Sequence, residues 1–324
     1  MCSFLFLPHF FFILFAYGTI PGLFFVVLGL WLMLCYEQAD GGRGYIWGIL
    51  SALSLAIAVQ LKKNYILAVV ALVLYLMIQL CGQRGRVKRT VLYIGVLLLT
   101  VIGSGRLLLS CYARMNGAPV PAGEPTISYI AMGLMDQKED SARPAGWYNG
   151  YVWEVYEEAD CDAAEASRLS MELIKARISD FKTDPLYAIR FFCGKVRSTW
   201  AEPLFQSVWS GPLEDEGQTV NGIILQNLYR GNRVYLLAEL WMHVLNVLLY
   251  VGCVIAVMKT LFGNGKSMPK LYLFYLIYFL GGFWYHLISE TKAQYVYMYL
   301  FLLIPCAMAA YDSLSCKDSK NEAS

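Results

Sequence analysis

Several long stretches of this sequence are too apolar for the surface of a water-soluble protein. The longest, residues 234–258 (VYLLAELWMHVLNVLLYVGCVIAVM), exceeds the roughly 20 residues that an α-helix needs to cross a bilayer. Further apolar stretches lie at residues 23–36, 45–61, 65–80, 91–103, 271–287 and 295–311. The whole chain is 58% hydrophobic and 15% charged, with a mean hydropathy of +0.49. We therefore predict an all-α integral membrane protein with about eight membrane segments.

One long part of the chain does not fit in hydrocarbon. Residues 110–233 hold most of the 24 acidic residues but fewer than half of the 26 basic ones, together with many aromatic residues. The sequence therefore predicts a mainly helical polar domain inserted between two sets of membrane helices. The predicted regions are 1–109 (N-terminal membrane helices), 110–233 (extracytoplasmic domain), 234–311 (C-terminal membrane helices) and 312–324 (cytoplasmic tail).

The distribution of basic residues predicts the orientation. Lysine and arginine are concentrated in two loops between spans, at Arg84, Arg86, Lys88 and Arg89 and at Lys259, Lys266 and Lys270. By the positive-inside rule both loops are cytoplasmic. Alternating the spans then puts residues 17–22, 62–64, 110–233 and 289–294 on the opposite face. We expect a multi-pass protein of the plasma membrane with its large domain outside the cytoplasm.

The first apolar segment is too short to span a bilayer. Residues 4–16 number about 13, and no basic region precedes them as it would in a signal peptide. We expect that the chain starts within a membrane span.

Two helices are predicted within the polar domain. The first begins at Asp162, with Glu165 three residues later as in a capping box, and the second begins at Asp184-Pro185. The second helix carries an apolar side, and we predict that both helices lie on the membrane surface with Arg190, Lys195 and Arg197 near lipid headgroups. The residues predicted on that apolar side are Leu186, Ile189, Cys193, Val196 and Trp200.

Four cations lie where helices meet the exterior face. Lys62 and Lys63 form the tip of an apolar hairpin, Arg106 lies near the end of its span, and Lys292 lies in the last short loop. Such residues either extend their charges to the interface or bind an anionic partner such as a lipid-linked phosphate. Glu290, in the same loop as Lys292, forms a structural ion pair or belongs to a site.

Aromatic residues in the polar domain are candidates for sugar binding. Trp147, Tyr148 and Trp200 supply ring faces that pack against the apolar C–H face of a sugar, and Glu202 and Glu290 supply acceptors for its hydroxyl groups. The alternative is an aromatic belt at the lipid interface.

Other functions lack motifs in the sequence. It contains no phosphate-binding loop, dinucleotide fingerprint, serine-hydrolase elbow or HExxH pair, and its nine cysteines lack metal-ligand spacing. Glu239 and His243 are four residues apart on one helix, but nothing completes a metal site around them. We predict no cofactor and no nucleic-acid partner, and leave a divalent metal open.

Four parts of the chain resemble the GT-C superfamily of membrane glycosyltransferases, in particular its bacterial protein-mannosyltransferase-like branch. They are YGTIPGLFFVVLGLWL (17–32), AVQLKKNYILAVVAL (58–72), the run from AMGLMD through GWYNGY to DPLYAIRFFCGKVRSTWAEPLFQSVW (131–209), and HLISETKAQYVYMYLFLLIP (286–305). The resemblance implies transfer of a sugar from a polyprenyl-phosphate donor to a cell-envelope glycan or protein.

The resemblance also assigns chemical tasks. Cations hold the departing phosphate, for which Lys62, Lys63, Arg106 and Lys292 are the candidates. An acidic residue in the family's first exterior loop acts as base. No residue of this chain matches it, and we expect it before Met1, so this chain is predicted to be truncated and impaired. A transporter or flippase of a lipid-linked saccharide and a non-catalytic scaffold subunit are the alternatives.

Overall fold

The computed structural model describes residues 2–14, 18–39, 41–81, 87–136, 143–209, 211, 222–262 and 271–321, and helices joined by turns and loops make up most of this part of the chain. The helices in chain order are α1 (Pro8–Phe11), α2 (Thr19–Gln38), α3 (Gly42–Leu61), α4 (Ile66–Leu80), α5 (Val87–Asn116), α6 (Thr126–Gly133), α7 (Tyr151–Glu158), α8 (Ala163–Thr183), α9 (Pro185–Trp200), α10 (Ile223–Tyr229), α11 (Arg233–Phe262), α12 (Leu271–Ile288) and α13 (Ala293–Asn321).

Seven helices among the described residues are long and apolar enough to cross a membrane: α2, α3, α4 with the turn before it, α5, α11, α12 and α13. The prediction of an all-α, multi-pass membrane protein is therefore confirmed. The first apolar segment forms three short turns, Cys2–Leu5, Pro8–Phe11 and Phe12–Leu14. Of the residues named above for orientation, Arg84, Arg86, Lys266 and Lys270 lie outside the described residues, as does Tyr17.

The chain divides into two compact units. The first comprises Met1–Val120, Ser207–Phe279 and Met298–Ser324, and contains most of the membrane helices. Its α2 and α3 pack closely, because Gly29 leaves room for Leu55, whose Cγ would lie 2.8 Å from a Cβ at position 29. Ser51 of α3 donates a hydrogen bond to the Gly29 carbonyl at 2.6 Å, which satisfies a hydroxyl that is buried between apolar helices.

Arg89 caps α2 in the first unit. Its guanidinium donates to the carbonyl of Ala39 at 2.7 Å and stacks 4.3 Å from the centre of the Tyr36 ring. The last carbonyls of a helix have no partner within the helix and carry a partial negative charge, so a cation there is stabilising. Arg89, which was predicted as a topological signal, therefore also has a structural role.

The second unit comprises Pro121–Gln206 and Leu280–Tyr297. It contains α6 to α9 and the adjoining ends of α12 and α13. Ala131 and Leu134 pack against Ile174 in its core, and Ser128 of α6 shares a hydrogen bond of 2.8 Å with Ser170 of α8. The two predicted helix starts are present.

Local capping explains where these helices begin. The Asp162 side chain accepts a hydrogen bond from the backbone N–H of Ala164 at 2.8 Å, and the Asp184 side chain accepts one from Tyr187 at 2.9 Å. Glu165 does not complete the predicted capping box, since it pairs with Arg168 at 2.6 Å instead. Pro185 occupies the first position of α9.

The faces of α9 differ from the prediction in one important respect. Leu186 and Ile189, from the predicted apolar side, are 56% and 60% exposed. The buried side carries Phe191, Lys195 and Thr199, which recur every fourth residue. The prediction that Lys195 lies near lipid headgroups is therefore wrong, because its side chain is only 1% exposed.

Candidate functional site

The candidate site lies in the second unit, where three segments distant in sequence meet. They are the loop 143–150, helix α9 and the loop between α12 and α13. The backbone N–H of Thr291 donates to the carbonyl of Gly146 at 3.1 Å, and that of Glu290 donates to Tyr129 at 2.8 Å. These bonds and an isolated parallel bridge between Trp147 and Thr291 hold the loop between α12 and α13, called the last loop below, against α6 and the loop 143–150.

Lys195 is buried between these segments and connects α6 and the last loop to α9 by hydrogen bonds. Its ammonium group donates to the carbonyl of Gly133 at 2.5 Å and to the carbonyl of Ser289 at 2.8 Å. Burial disfavours the charged form and lowers the pKa of Lys195 to about 7, while the carboxylate of Glu290 acts in the opposite direction. A buried ammonium needs such acceptors, because an unpaired polar group in the interior is costly.

Two glycines make room for this arrangement. A Cβ at Gly133 would lie 2.2 Å from the carbonyl carbon of Ser289, and a Cβ at Gly146 would lie 2.7 Å from Cε of Lys195. Gly146 also has a φ of +73°, which disfavours residues with a side chain. The backbone can therefore approach both Lys195 and the last loop.

Glu290 is the buried carboxylate of the site. It is 7% exposed, and its charge favours the protonated forms of both Lys195 and Lys292. Nδ1 of His286, one turn earlier, lies 3.4 Å from the Glu290 carbonyl oxygen. Glu290 thus acts electrostatically on Lys292, and Lys195 experiences the charge of the same carboxylate.

A half-buried tyrosine with two neighbouring cations forms the outer part of the site. The ammonium of Lys292 lies 4.6 Å from the centre of the Tyr148 ring, and the guanidinium of Arg143 lies 5.9 Å from it. Arg143 also donates to the carbonyl of Tyr148 at 3.0 Å. Burial and the like charge of Arg143 both lower the pKa of Lys292, which Glu290 opposes. An anion at this position would relieve the repulsion between the two cations.

The two tryptophans that were predicted to bind a sugar are buried beneath the surface of the site. Trp147 and Trp200 are 8% and 7% exposed. The indole N–H of Trp147 donates to Ser198 at 3.1 Å, and Trp200 packs 5.7 Å from the ring of Phe283. Of the three aromatic residues that were predicted to bind a sugar, Tyr148 is therefore the most exposed.

Glu202 has a local structural contact. Its carboxylate accepts hydrogen bonds from the backbone N–H groups of Gln206 at 2.6 Å and Leu204 at 3.3 Å. It thereby stabilises the turn that follows α9.

The three other predicted phosphate ligands lie in the first unit. Lys62 donates to the hydroxyl of Thr19 at 2.9 Å, at the N-terminus of α2, and Lys63 donates to Gln60 at 3.4 Å. The Gln60 amide in turn donates to Ser104 at 3.0 Å, two residues before the exposed Arg106. Lys62 and Lys63 thus lie where α3 ends, and Lys62 lies beside the positive end of the α2 dipole.

Sequence reasoning missed Arg143 and the central position of Lys195. A signal for Lys195 was present, since Phe191, Lys195 and Thr199 follow the spacing of one helix face. The sequence analysis instead selected the apolar residues on the other side of α9 as its buried face. Nothing in the local sequence of Arg143 indicated its position beside Lys292.

Among the described residues, no three His, Cys, Asp or Glu side chains are grouped so that they could hold a metal ion. Comparisons of the chain with protein-family models, with curated proteins and with solved structures found no match.

Proposed function

We propose that this protein is a membrane glycosyltransferase of the GT-C type, which transfers a sugar from a polyprenyl-phosphate donor to an extracytoplasmic acceptor. The observation that carries the proposal is the grouping of Tyr148, Glu290 and Lys292 in the unit that holds the polar part of the chain. A lipid-linked sugar phosphate needs a ring face, a hydroxyl acceptor and a cation, and these three residues supply one each.

The chemistry assigns a role to each of these residues. In transfer from a lipid phosphate, the acceptor's hydroxyl oxygen bonds to the anomeric carbon and gives its proton to a base, while the bond between that carbon and a phosphate oxygen breaks. The enzyme must therefore stabilise the negative charge that develops on the phosphate. Lys292 is the proposed ligand of that phosphate, Tyr148 stacks on the sugar, and Glu290 accepts a hydroxyl hydrogen bond. Trp147, Trp200 and Glu202 support the surrounding loops.

For the first unit, considered by itself, we propose Lys62, Lys63 and Arg106 as ligands of an anionic phosphate group. Lys62 donates to Thr19 at the N-terminus of α2, where backbone N–H groups favour an anion, and Lys63 donates to Gln60 near the end of α3. The apolar surfaces of the candidate membrane helices in the described part of the chain suit a polyprenyl chain and the surrounding lipids. We place the protein in the plasma membrane with the polar domain outside the cytoplasm, where the acceptor is a cell-envelope glycan or protein.

Donor binding tests the proposal. The purified full chain in lipid nanodiscs is titrated with a polyprenyl-phosphate-hexose, and binding is compared for the wild type and Lys292→Met. A hydrogen bond to a charged group contributes about 1.5–3 kcal/mol, so we expect Lys292→Met to weaken binding by about tenfold or more.

A matched control separates this effect from loss of positive charge in general. Lys175 lies exposed on α8, and Lys175→Met is expected to bind as the wild type does. Free polyprenol, which lacks the phosphate and the sugar, should compete poorly. Equal affinities for Lys292→Met and the wild type would remove Lys292 from the site, and no donor binding by the wild type would overturn the proposed function.

A further inference from the structure

Lys195 and Lys292 share one carboxylate. Lys195 is buried beneath the site, Lys292 is half-buried at its surface, and the charge of Glu290 acts on both. When both lysines are protonated, the three groups have a net charge of +1. When Lys195 is neutral, the net charge of these three groups falls to zero, and Lys195 no longer offsets the charge of Glu290 beside Lys292.

The position of Lys195 is rigidly defined. Its two hydrogen bonds reach the carbonyls of Gly133 and Ser289, and Ser289 directly precedes Glu290. Neither carbonyl can take up the charge that Lys195 carries, and each can accept a hydrogen bond from a neutral amine as well as from an ammonium. Loss of the proton therefore changes the electrostatics of the site while the hydrogen bonds to the last loop persist.

We propose that Lys195 is a positioning residue that regulates anion binding at Tyr148 and Lys292. While Lys195 is protonated it balances Glu290, and Lys292 is available to a phosphate. Once Lys195 loses its proton, Glu290 competes with the phosphate for Lys292, and the donor binds more weakly. This inference rests on the proposed function, since it concerns the affinity of the same site for its phosphate-bearing ligand.

Other groups near the site must be considered when pH is varied. Among the described residues, the groups that face the cluster from the packed elements include Glu124, Tyr129, Arg143, Tyr148, His286, Glu290 and Lys292. Burial and the hydrogen bond to Glu124 raise the pKa of Tyr129, which therefore stays neutral as the solution becomes mildly alkaline. Burial also lowers the pKa of Lys292, so the experiment needs a variant that isolates Lys195.

The burial of Lys195 places its titration near neutral pH, with a pKa of about 7. The direction follows from the charge count: rising pH removes a positive charge from beneath the site, so affinity for an anion must fall. A polyprenyl-phosphate-hexose is a suitable probe, because a phosphodiester keeps a constant single charge across this range.

The test measures binding of the polyprenyl-phosphate-hexose from about pH 6 to about pH 9 in the full chain. We expect the wild type to lose about tenfold in affinity, which corresponds to about 1.4 kcal/mol. Lys195→Arg keeps its charge throughout and should show a much flatter profile. Lys195→Met lacks the charge and should bind weakly at every pH, whereas Lys175→Met should follow the wild type.

The outcomes distinguish this inference from the proposed function. A pH-dependent loss in Lys195→Arg as large as in the wild type would assign the titration to a group other than Lys195 and overturn the inference. Strong donor binding by the wild type without pH dependence would overturn the inference alone. No binding by any variant at any pH would overturn the proposed function as well. Size-exclusion profiles and tryptophan fluorescence confirm beforehand that each variant is folded.

Discussion

At the scale of single residues, the site depends on Gly133, because its lack of a side chain leaves space for the last loop. Gly133 is the final residue of α6, and its carbonyl accepts from Lys195. A side chain at this position would meet the backbone of Ser289 and Glu290, which cannot yield as the end of a flexible side chain can. Gly133 is therefore required by packing rather than by its backbone conformation.

Substitution of this glycine should disturb the site directly. In Gly133→Ala the new Cβ would clash with the loop, and overpacking of this kind costs about 1–3 kcal/mol. We expect a lower midpoint of thermal unfolding and faster hydrogen exchange in residues 286–297, measured by mass spectrometry. Gly194→Ala in α9 is the matched control, since a Cβ there meets nothing within 4 Å and alanine favours helix. Equal exchange in the two variants would contradict the packing role.

Part of the site could be predicted from single residues. Glu290, Lys292 and Tyr148 stood out because charged and aromatic side chains near a membrane boundary are costly or specialised. Lys195 did not, because its burial results from contacts with Gly133 and Ser289, which are 62 and 94 residues away in the chain. Contacts over such distances leave no periodic signal in a local stretch of sequence.

At the scale of elements, the sequence predicted where helices start more reliably than which face they bury. The starts of α8 and α9 follow from Asp162 and from Asp184-Pro185, since a cap acts on backbone groups two or three residues away. The buried face of α9 depends on its neighbours. Those neighbours cover Phe191 and leave Ile189 exposed.

The cap of α9 allows a prediction at this scale. Asp184→Ala removes the acceptor for the backbone N–H of Tyr187 and should destabilise the second unit by about 1 kcal/mol. The loss is read from the thermal midpoint and from hydrogen exchange at the start of α9. Asp184→Asn retains an oxygen that can accept the same bond and should behave nearly as the wild type. A similar loss in both variants would show that the carboxylate charge matters more than the cap.

At the scale of the whole molecule, hydropathy alone predicted the membrane class, because crossing a bilayer imposes a local requirement of length and composition. It did not predict the division into two units. The loop between α12 and α13 belongs to the same unit as α6 to α9, although the chain from Ser207 to Phe279 separates them in sequence. A domain boundary predicted from composition can only divide the chain into consecutive segments. A compact unit is defined by contacts in space, which can join segments that are distant in sequence.

The orientation of the chain gives the last prediction, and cysteine labelling tests it. Cys161 of the second unit and Cys81 after α4 are both exposed, whereas Cys253 is buried. Helix α5, at about 45 Å long, lies between Cys81 and the second unit in the chain. In single-cysteine variants expressed in intact cells, we expect a membrane-impermeant maleimide to label Cys161, to label Cys81 only after permeabilisation, and not to label Cys253. Labelling of Cys81 but not Cys161 in intact cells would place the second unit in the cytoplasm, where the proposed donor and acceptor could not meet it.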